Sequence, residues 1–232
     1  MDRGKQERVI QKTGAVQTTG PGNGSDSIMT DGRRAIELIL LVNACVRKES
    51  RTKELADYLL SKLKDSVEEV KLEDIRFPVA DEAFIQKRDE LISAGRFDDP
   101  MFDLARQFAN ADTIVVAAPC WDHSFPAALK QYVEQISVVG ITFRYNANNT
   151  PEGLCTGERL YYVTTAGGEI FSKEFGYGYF DFLARYIFGI RRVRRIQAEN
   201  LDLDGADVEG IMKKAKGFID SELKKDGEAY YC

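Results

Sequence analysis

Apolar and polar residues alternate along the chain in blocks that differ in their spacing. Ile36–Val42 is an almost continuous apolar run, which is typical of a parallel strand buried on both faces of a sheet. Thr113–Ala118 and Leu160–Thr165 repeat this pattern, whereas Val67–Leu72 and Arg192–Ala198 mix apolar residues with charged ones. These blocks predict five strands.

Between the predicted strands, apolar residues recur every three or four positions, which is the spacing of an amphipathic helix. This spacing predicts helices over Ser50–Leu63, Glu82–Ile92, Met101–Asn110, Phe125–Val139, Phe171–Phe188 and Val208–Leu223. Gly140–Gly157, by contrast, is rich in loop residues. Strands that alternate with helices over five units predict an α/β fold with a doubly wound, five-stranded parallel sheet.

The first part of the chain has a different composition. Residues 1–34 contain many Gly, Thr, Ser and Asp residues and few large apolar side chains. Such a segment buries too little apolar surface to offset the entropy of ordering. We therefore expect a disordered tail over residues 1–34 and one domain over residues 35–232.

Charge and cysteine content exclude several classes of function. The 232 residues include 32 Lys and Arg against 37 Asp and Glu, a net charge of −5, which argues against a nucleic-acid partner. No stretch reaches the roughly 18 apolar residues of a membrane span, and no signal peptide is evident, so we expect no membrane partner. Four scattered cysteines and a single His give neither metal-ligand spacing nor a disulfide framework. We expect a cytoplasmic protein without a metal.

Open α/β sheets bind ligands at the carboxyl ends of their strands, so the loops that follow strands are the candidate sites. Asn43–Thr52 follows the first strand and places Ser50 and Thr52 at the start of a helix, where free N–H groups and hydroxyls suit an anion. Arg51 adds positive charge. The loop has neither a Walker nor a dinucleotide pattern, which favours a mononucleotide such as FMN. The alternative is that Ser50 is only a helix N-cap.

Two further strand ends carry candidate ligand-binding residues. Pro119–Phe125 contains the only Trp and the only His of the chain, Trp121 and His123. Trp121 either lies against a planar ring or belongs to the core, and His123 is either functional or an ordinary surface residue. Thr164–Gly168 ends in two glycines, which allow close approach of a ligand or simply form a turn. In the strand order 2-1-3-4-5, all these loops line one site.

Three longer stretches carry a family resemblance. Ala44–Thr52 reads ACVRKESRT, Ala111–Ile136 reads ADTIVVAAPCWDHSFPAALKQYVEQI, and Gly140–Gly168 reads GITFRYNANNTPEGLCTGERLYYVTTAGG. They resemble the phosphate loop, the flavin-ring loop and the T-F-R-Y…P-E-G…T-x-G-G segment of the flavodoxin-like FMN-dependent NADH azoreductases and NAD(P)H quinone reductases. The resemblance runs from about Ile36 to Lys224. It implies a flavodoxin-like fold with strand order 2-1-3-4-5.

The resemblance also implies FMN as the cofactor and NADH or NADPH as the electron donor. The positions that match cofactor-binding residues are Cys45, Ser50, Arg51 and Thr52 in the phosphate loop, Pro119, Cys120, Trp121, Asp122 and His123 in the ring loop, and Thr165, Ala166, Gly167 and Gly168 at the other edge of the ring. Tyr145 matches an aromatic residue that family members offer to the substrate pocket of the neighbouring subunit. A homodimer is therefore implied.

The implied activity is two-electron, ping-pong hydride transfer from NAD(P)H to a quinone, azo or nitroaromatic-type acceptor. In such enzymes the cofactor carries the chemistry, so no side chain is required as a catalytic nucleophile. His123 as a proton donor to the acceptor is a further hypothesis. The alternatives are a flavodoxin-like electron carrier and a flavin-based redox sensor in which Cys45 or Cys120 responds to oxidant, neither with a small-molecule substrate of its own.

The chain departs from the family pattern at two places. Cys45 and Val46 stand where Ser and Pro are usual, and Cys120-Trp121-Asp122-His123 stands where Met-Tyr-Asn-Phe is typical. A carboxylate at Asp122 removes a donor toward the flavin ring. It also adds negative charge where reduced flavin becomes anionic. We therefore expect a lower flavin potential and an altered range of acceptors.

A basic run occupies the last predicted strand, where Arg191–Arg195 reads RRVRR. Such a run suggests a role in binding the phosphate of NADPH or a nucleic acid. Charged residues on an edge strand also discourage pairing with another sheet, and we favour that explanation.

Overall fold

A computed structural model describes residues 37–63 and 65–228 of the chain. The tail predicted over residues 1–34 lies outside the described residues. The described strands are β1 (Leu38–Asn43), β2 (Ser66–Lys71), β3 (Thr113–Ala117), β4 (Phe143–Tyr145), β5 (Pro151–Gly153), β6 (Arg159–Thr165) and β7 (Arg192–Ala198). Five of them form a parallel sheet in the order β2-β1-β3-β6-β7. The predicted fourth and fifth strands are β6 and β7, so the predicted fold and strand order are confirmed.

Helices connect these strands. They are α1 (Arg51–Leu63), α2 (Glu82–Ser93), α3 (Asp103–Asn110), α4 (Ala127–Ile136), α5 (Tyr179–Phe182) and α6 (Val208–Glu228). The helix α5 is a single turn between two wider π-helical turns, Glu174–Gly178 and Leu183–Phe188. Short 3-10 helices occupy Leu72–Asp74 and Pro100–Phe102. Among the described residues, no helix combines the length and apolar composition needed to cross a membrane.

The central strands are buried along their whole length. In β3 and β6 every residue is buried, which accounts for the continuous apolar runs in the sequence. Val116 and Tyr162 pack against α3, α4 and the helical segment 174–188 on one face of the sheet. Val115 and Tyr161 pack against α1 and α6 on the other face. The sheet therefore separates two apolar layers, and its carboxyl edge is left for the connecting loops.

The structure adds one element that the sequence analysis did not predict. Gly140–Gly157 contains the antiparallel hairpin of β4 and β5, whose three-residue strands are too short to show an alternating pattern. Gly153 seats this hairpin, because a Cβ atom there would lie 2.1 Å from the carbonyl carbon of Phe188. Only glycine permits this approach, so the hairpin is fixed against the end of the helical segment.

Two predicted helices are shorter in the structure by three residues or more. The helix predicted over Phe125–Val139 spans Ala127–Ile136, because Pro126 disfavours helical geometry at the residue before it. The helix predicted over Phe171–Phe188 begins at Glu174. The preceding residues are therefore available to the loop that follows β6.

Candidate functional site

Three loops surround a cleft of about 740 Å³ at the carboxyl edge of the sheet. They are the first loop (residues 44–50, after β1), the second loop (residues 118–126, after β3) and the third loop (residues 166–173, after β6). Predicted residues that line the cleft are Cys45, Ser50, Arg51, Thr52, Pro119, Cys120, Trp121, Thr165, Ala166 and Gly167. The volume lies within the range of about 300–1,000 Å³ that is usual for small-molecule and cofactor sites.

The remaining predicted residues lie outside this lining. Asp122 and His123 are exposed at the tip of the second loop, and Gly168 is exposed beyond the cleft in the third loop. The His123 ring lies 5.8 Å from the ring of Phe171, measured between centroids. Tyr145 lies on β4 and is 56% exposed. The cleft of this chain does not include it.

The start of α1 forms one wall of the cleft. Ser50 caps this helix, because its Oγ accepts from the backbone N–H of Lys53 at 3.2 Å and its carbonyl accepts from the N–H of Glu54 at 2.9 Å. The N–H groups of Arg51 and Thr52 come first in the helix and have no carbonyl in a preceding turn to bond. Ser50 is therefore a helix N-cap, and the same turn offers free donors and the positive end of the helix dipole to an anion.

A buried hydrogen bond joins this turn to the end of β6. The hydroxyl oxygens of Thr52 and Thr165 are 2.6 Å apart, and both residues are buried. Leaving one hydroxyl without a partner at such a position costs about 1–3 kcal/mol. The bond therefore holds the first turn of α1 against the strand that leads into the third loop.

The second loop contains a tight turn over Trp121–Ser124. The N–H of Trp121 donates to the carbonyl of Ser124 at 3.1 Å, and the N–H of Ser124 donates back to the carbonyl of Trp121 at 2.8 Å. Between them, Asp122 and His123 have φ angles of 50° and 63°. Two left-handed residues in succession define a type I′ turn, for which Asp and His are better suited than most residues.

This turn is held in place from outside. The Ser124 hydroxyl donates to the carbonyl of Phe175 at 2.6 Å, and the N–H of Cys120 donates to the carbonyl of Thr165 at 2.9 Å. Left-handed backbone at non-glycine residues persists where the surrounding structure imposes it, and such residues cluster at functional sites. The turn presents Trp121, which is 38% exposed, to the cleft.

Asp202, in the loop between β7 and α6, also lines the cleft and was missed by the sequence analysis. Its carboxylate accepts from Arg51 Nη1 at 2.7 Å, and Arg51 also donates to the carbonyl of Leu201. A Cβ atom on Gly167 would lie 2.4 Å from Asp202 Oδ2. Gly167 therefore allows the third loop to pack against the carboxylate that holds Arg51.

The first loop supplies two further cations. Arg47 and Lys48 line the cleft, and neither forms an ion pair with another residue in the described part of the chain. Lys53, in contrast, lies 2.5 Å from Asp57, with which it forms an ion pair on α1. The positive charge of the cleft that no described carboxylate pairs with therefore lies on the first loop and at the N-terminus of α1.

Burial affects the cysteine thiols near the cleft. Burial raises the pKa of the Cys45 thiol, and it also raises the pKa of Cys120. Burial raises the pKa of Cys155, away from the cleft, to about 12. Because the thiolate is the reactive form of cysteine, burial disfavours reaction at these thiols.

Comparison with known proteins identifies several relatives. A family model described as "Flavodoxin-like fold" matches residues 38–221. The chain is 42% identical over 120 residues to the FMN-dependent NADH:quinone oxidoreductase 2 of Clostridium acetobutylicum, a match that covers 50% of this chain and 60% of that protein. It is 32% identical over 186 residues to the FMN-dependent NADH:quinone oxidoreductase of Clostridium beijerinckii, covering 77% of this chain and 92% of that protein.

The fold also has counterparts among solved structures. An FMN-dependent NADH-azoreductase from Bacillus anthracis, solved in complex with FMN, aligns with a TM-score of 0.68. The alignment covers 82% of this chain and 99% of that chain at 19% sequence identity. At this level of identity the similarity concerns the fold alone.

The threonine pair gives a direct test of how the cleft is held together. Thr52→Val or Thr165→Val removes one hydroxyl and leaves the other buried without its partner. We expect each single substitution to lower the free energy of unfolding by about 1–3 kcal/mol, and the double substitution to cost less than the sum. Urea unfolding followed by the fluorescence of Trp121, the only Trp, gives all three values. Strictly additive losses would contradict the coupling.

Proposed function

The chain belongs to the flavodoxin-like fold family, and on this premise we propose that it binds FMN in the three-loop cleft. It then transfers two electrons from NADH or NADPH to a quinone, azo or nitroaromatic-type acceptor. One observation carries this proposal: three features line or border the same cleft. They are the N-terminus of α1, the left-handed turn that presents Trp121, and the third loop with Gly167. The relatives named FMN-dependent NADH:quinone oxidoreductases support it.

The α1 end of the cleft fits the phosphate group of FMN. The hydroxyl of Ser50 and the N–H groups of Arg51 and Thr52 would hold a terminal phosphate, because a helix N-terminus with small polar side chains suits a dianion. Arg51 contributes through its backbone, since Asp202 engages its guanidinium group. The two cations of the first loop add positive charge at the mouth of the cleft.

The second and third loops line the part of the cleft that fits the flavin ring. Trp121 supplies an aromatic face, and the backbone of the third loop at Gly167 lines the same cleft. When bound, FMN supplies the hydride chemistry between the nicotinamide and the acceptor. The residues of the chain orient the ring and shield it from water. Asp122, next to Trp121, places a carboxylate at the same loop.

The alternative functions have weaker support. A redox sensor needs a thiolate, yet burial raises the pKa of both Cys45 and Cys120. An electron carrier without its own substrate has no need of the hairpin that displays Tyr145. The relatives are also named as enzymes that act on quinones. The enzyme therefore remains the favoured function.

We also propose a homodimer in which Tyr145 completes the acceptor pocket of the partner subunit. Tyr145 is 56% exposed, and its ring packs edge-on against Phe143 at 5.7 Å between centroids. Gly153 seats the same hairpin on the end of the helical segment. A rigid and exposed aromatic residue that lies outside its own cleft suits a contact between subunits.

Cofactor binding and reduction test the proposed function together. Adding FMN should quench the fluorescence of Trp121, and the yellow complex should lose its colour anaerobically with NADH or NADPH. Gly167→Ala should weaken FMN binding, because the added Cβ displaces the Asp202 carboxylate that holds Arg51. Quinone should restore the colour within the turnover time. Bleaching by neither nicotinamide would favour the electron carrier instead.

Asp122 tests the electrostatics of the ring loop. Asp122→Asn removes a negative charge beside the proposed ring site, so we expect the midpoint potential of bound FMN to rise by a few tens of millivolts. Glu158→Gln is the matched control, because it removes an exposed carboxylate at the amino end of β6, the opposite edge of the sheet. Equal shifts in the two variants, measured by spectroelectrochemical titration, would exclude a local effect.

Tyr145 tests the shared site. We expect sedimentation equilibrium to give twice the chain mass of 26.1 kDa. Tyr145→Ala should raise the KM for the acceptor several-fold while leaving reduction of the flavin by NADH unchanged, because the side chain belongs to the acceptor pocket only. Phe218→Ala removes another exposed aromatic residue, on α6, and should change neither value. A monomeric enzyme with full activity would contradict the shared site.

A further inference from the structure

The arginines of β7 extend into two different layers of the fold. Protection of the sheet edge against pairing does not explain this difference. Arg194 pairs through the sheet with Tyr161, and its guanidinium lies 3.2 Å from Glu222 of α6. Arg195 pairs with Tyr162 and therefore faces the opposite layer, where its guanidinium carbon lies 5.6 Å from the ring centroid of Tyr177. Arg195 is half-buried and has no carboxylate partner among the described residues. Its charge is available to a ligand.

Arg195 lines a small hollow beside the candidate ring site. The hollow has a volume of about 20 Å³ and is bounded by the second loop, the third loop, the start of the helical segment 174–188 and the carboxyl halves of β6 and β7. Cys120 lines both this hollow and the large cleft, so the two are neighbours. The space holds a group of about the size of one water molecule or one oxyanion oxygen, but not a ring.

The chemistry of the hollow favours an anion. His123 and Lys173 line it together with Arg195, and none of its described lining residues is Asp or Glu. Both His123 and Lys173 are exposed, so they stand at the mouth while Arg195 lies deeper. Arginine binds carboxylate, sulfonate and phosphate groups through paired, charge-assisted hydrogen bonds.

Gln197 provides an independent observation in the same hollow. Its Oε1 atom is buried and has no hydrogen-bond partner among the residues that the structure describes. The oxygen and nitrogen of a glutamine amide occupy equivalent positions, and a 180° rotation of the amide places its NH₂ group there. An incoming oxyanion would give that NH₂ group the partner that the protein does not supply.

The surface next to the hollow is aromatic. Phe171 is 77% exposed and Phe175 is 61% exposed, and the Phe171 ring lies 5.8 Å from that of His123. An aromatic molecule with one charged substituent could place its ring on this surface and its charge in the hollow. The exposed aromatic side chains thus suit a ligand with an aromatic ring better than an inorganic anion.

We propose that Arg195, Lys173 and Gln197 form an oxyanion subsite that receives one oxygen atom of a sulfonate, carboxylate or phosphate group of a molecule docked at the ring site. The subsite rests on the proposed function, because it selects among electron acceptors or donors of that site. Its ligand is an aromatic acceptor with an acidic substituent, or the 2′-phosphate of NADPH, which presents the same chemistry.

Ligand binding tests the subsite without any turnover. His123 is the only His, so its ring protons give a reporter in the NMR spectrum of the FMN-supplemented full chain. Naphthalene-2-sulfonate or adenosine 2′,5′-bisphosphate should shift these signals with saturation, whereas 2-naphthol and adenosine 5′-monophosphate should not. The sulfonate response assigns the subsite to the acceptor, and the bisphosphate response assigns it to NADPH. Equal responses to each probe and to its control, which lacks the sulfonate or the 2′-phosphate, would overturn the proposal.

Matched variants locate the effect. Arg195→Gln should raise the Kd of the probe about tenfold, the order expected for loss of one charge-assisted contact. Arg195→Lys keeps the charge but not the paired donors, so it should raise the Kd less than Arg195→Gln does. Lys173 is exposed, and Lys173→Gln should weaken binding of the probe several-fold. Arg191→Gln removes the same charge from an exposed residue just before β7 and should leave binding unchanged. Equal losses in the Arg195→Gln and Arg191→Gln variants would exclude a local subsite.

Kinetics then separate this proposal from the proposed function. Arg195→Gln should lower kcat/KM about tenfold for 1,2-naphthoquinone-4-sulfonate, or for NADPH relative to NADH, and less than twofold for uncharged 1,4-naphthoquinone with NADH. If no acceptor is reduced while the probes still bind, the enzyme function fails and the subsite stands. A uniform loss with every substrate would overturn the subsite while leaving the enzyme function intact.

Discussion

The buried hydrogen bond between Thr52 and Thr165 is the contact on which the cleft depends. It joins the first turn of α1, which comes from one side of the sheet, to the last residue of β6. Each hydroxyl lies where an unpartnered polar group would be costly, so the two residues stabilise each other's position. The free N–H groups at the start of α1 consequently lie at a fixed place relative to the third loop.

Backbone hydrogen bonds that continue beyond the ends of the strands also hold the loops around the cleft. The N–H of Ala44 donates to the carbonyl of Ala117, that of Ala118 to Val163, and that of Cys120 to Thr165, each at 2.9 Å. These bonds satisfy backbone groups that would otherwise be buried without partners. Because the second loop is anchored in this way, it can hold two successive left-handed residues at its tip. The backbone strain of that turn is thus sustained by the sheet.

The sheet was predicted well because strands that are buried on both faces have continuous apolar sequences, such as Thr113–Ala118. The sequence also placed the residues of the three loops at one edge, since that follows from strand order alone. It missed Asp202, because a carboxylate in a polar loop carries no local signal of its contact with Arg51, 151 positions away. It missed the hairpin because strands of three residues show no period. Gly153 was the one residue whose type reflected the packing of the hairpin, and a single glycine is compatible with many structures.

The arginines of β7 show why a run of like charges cannot be interpreted from its sequence alone. On a strand, successive side chains point to opposite faces, so neighbouring arginines enter different surroundings. Arg194 meets Glu222 on the α6 side and helps to hold that helix, whereas Arg195 meets the ring of Tyr177 on the other side. The edge position of β7 explains why charges are tolerated on the strand at all. The face that each arginine occupies then decides whether its charge is neutralised within the protein or left for a ligand.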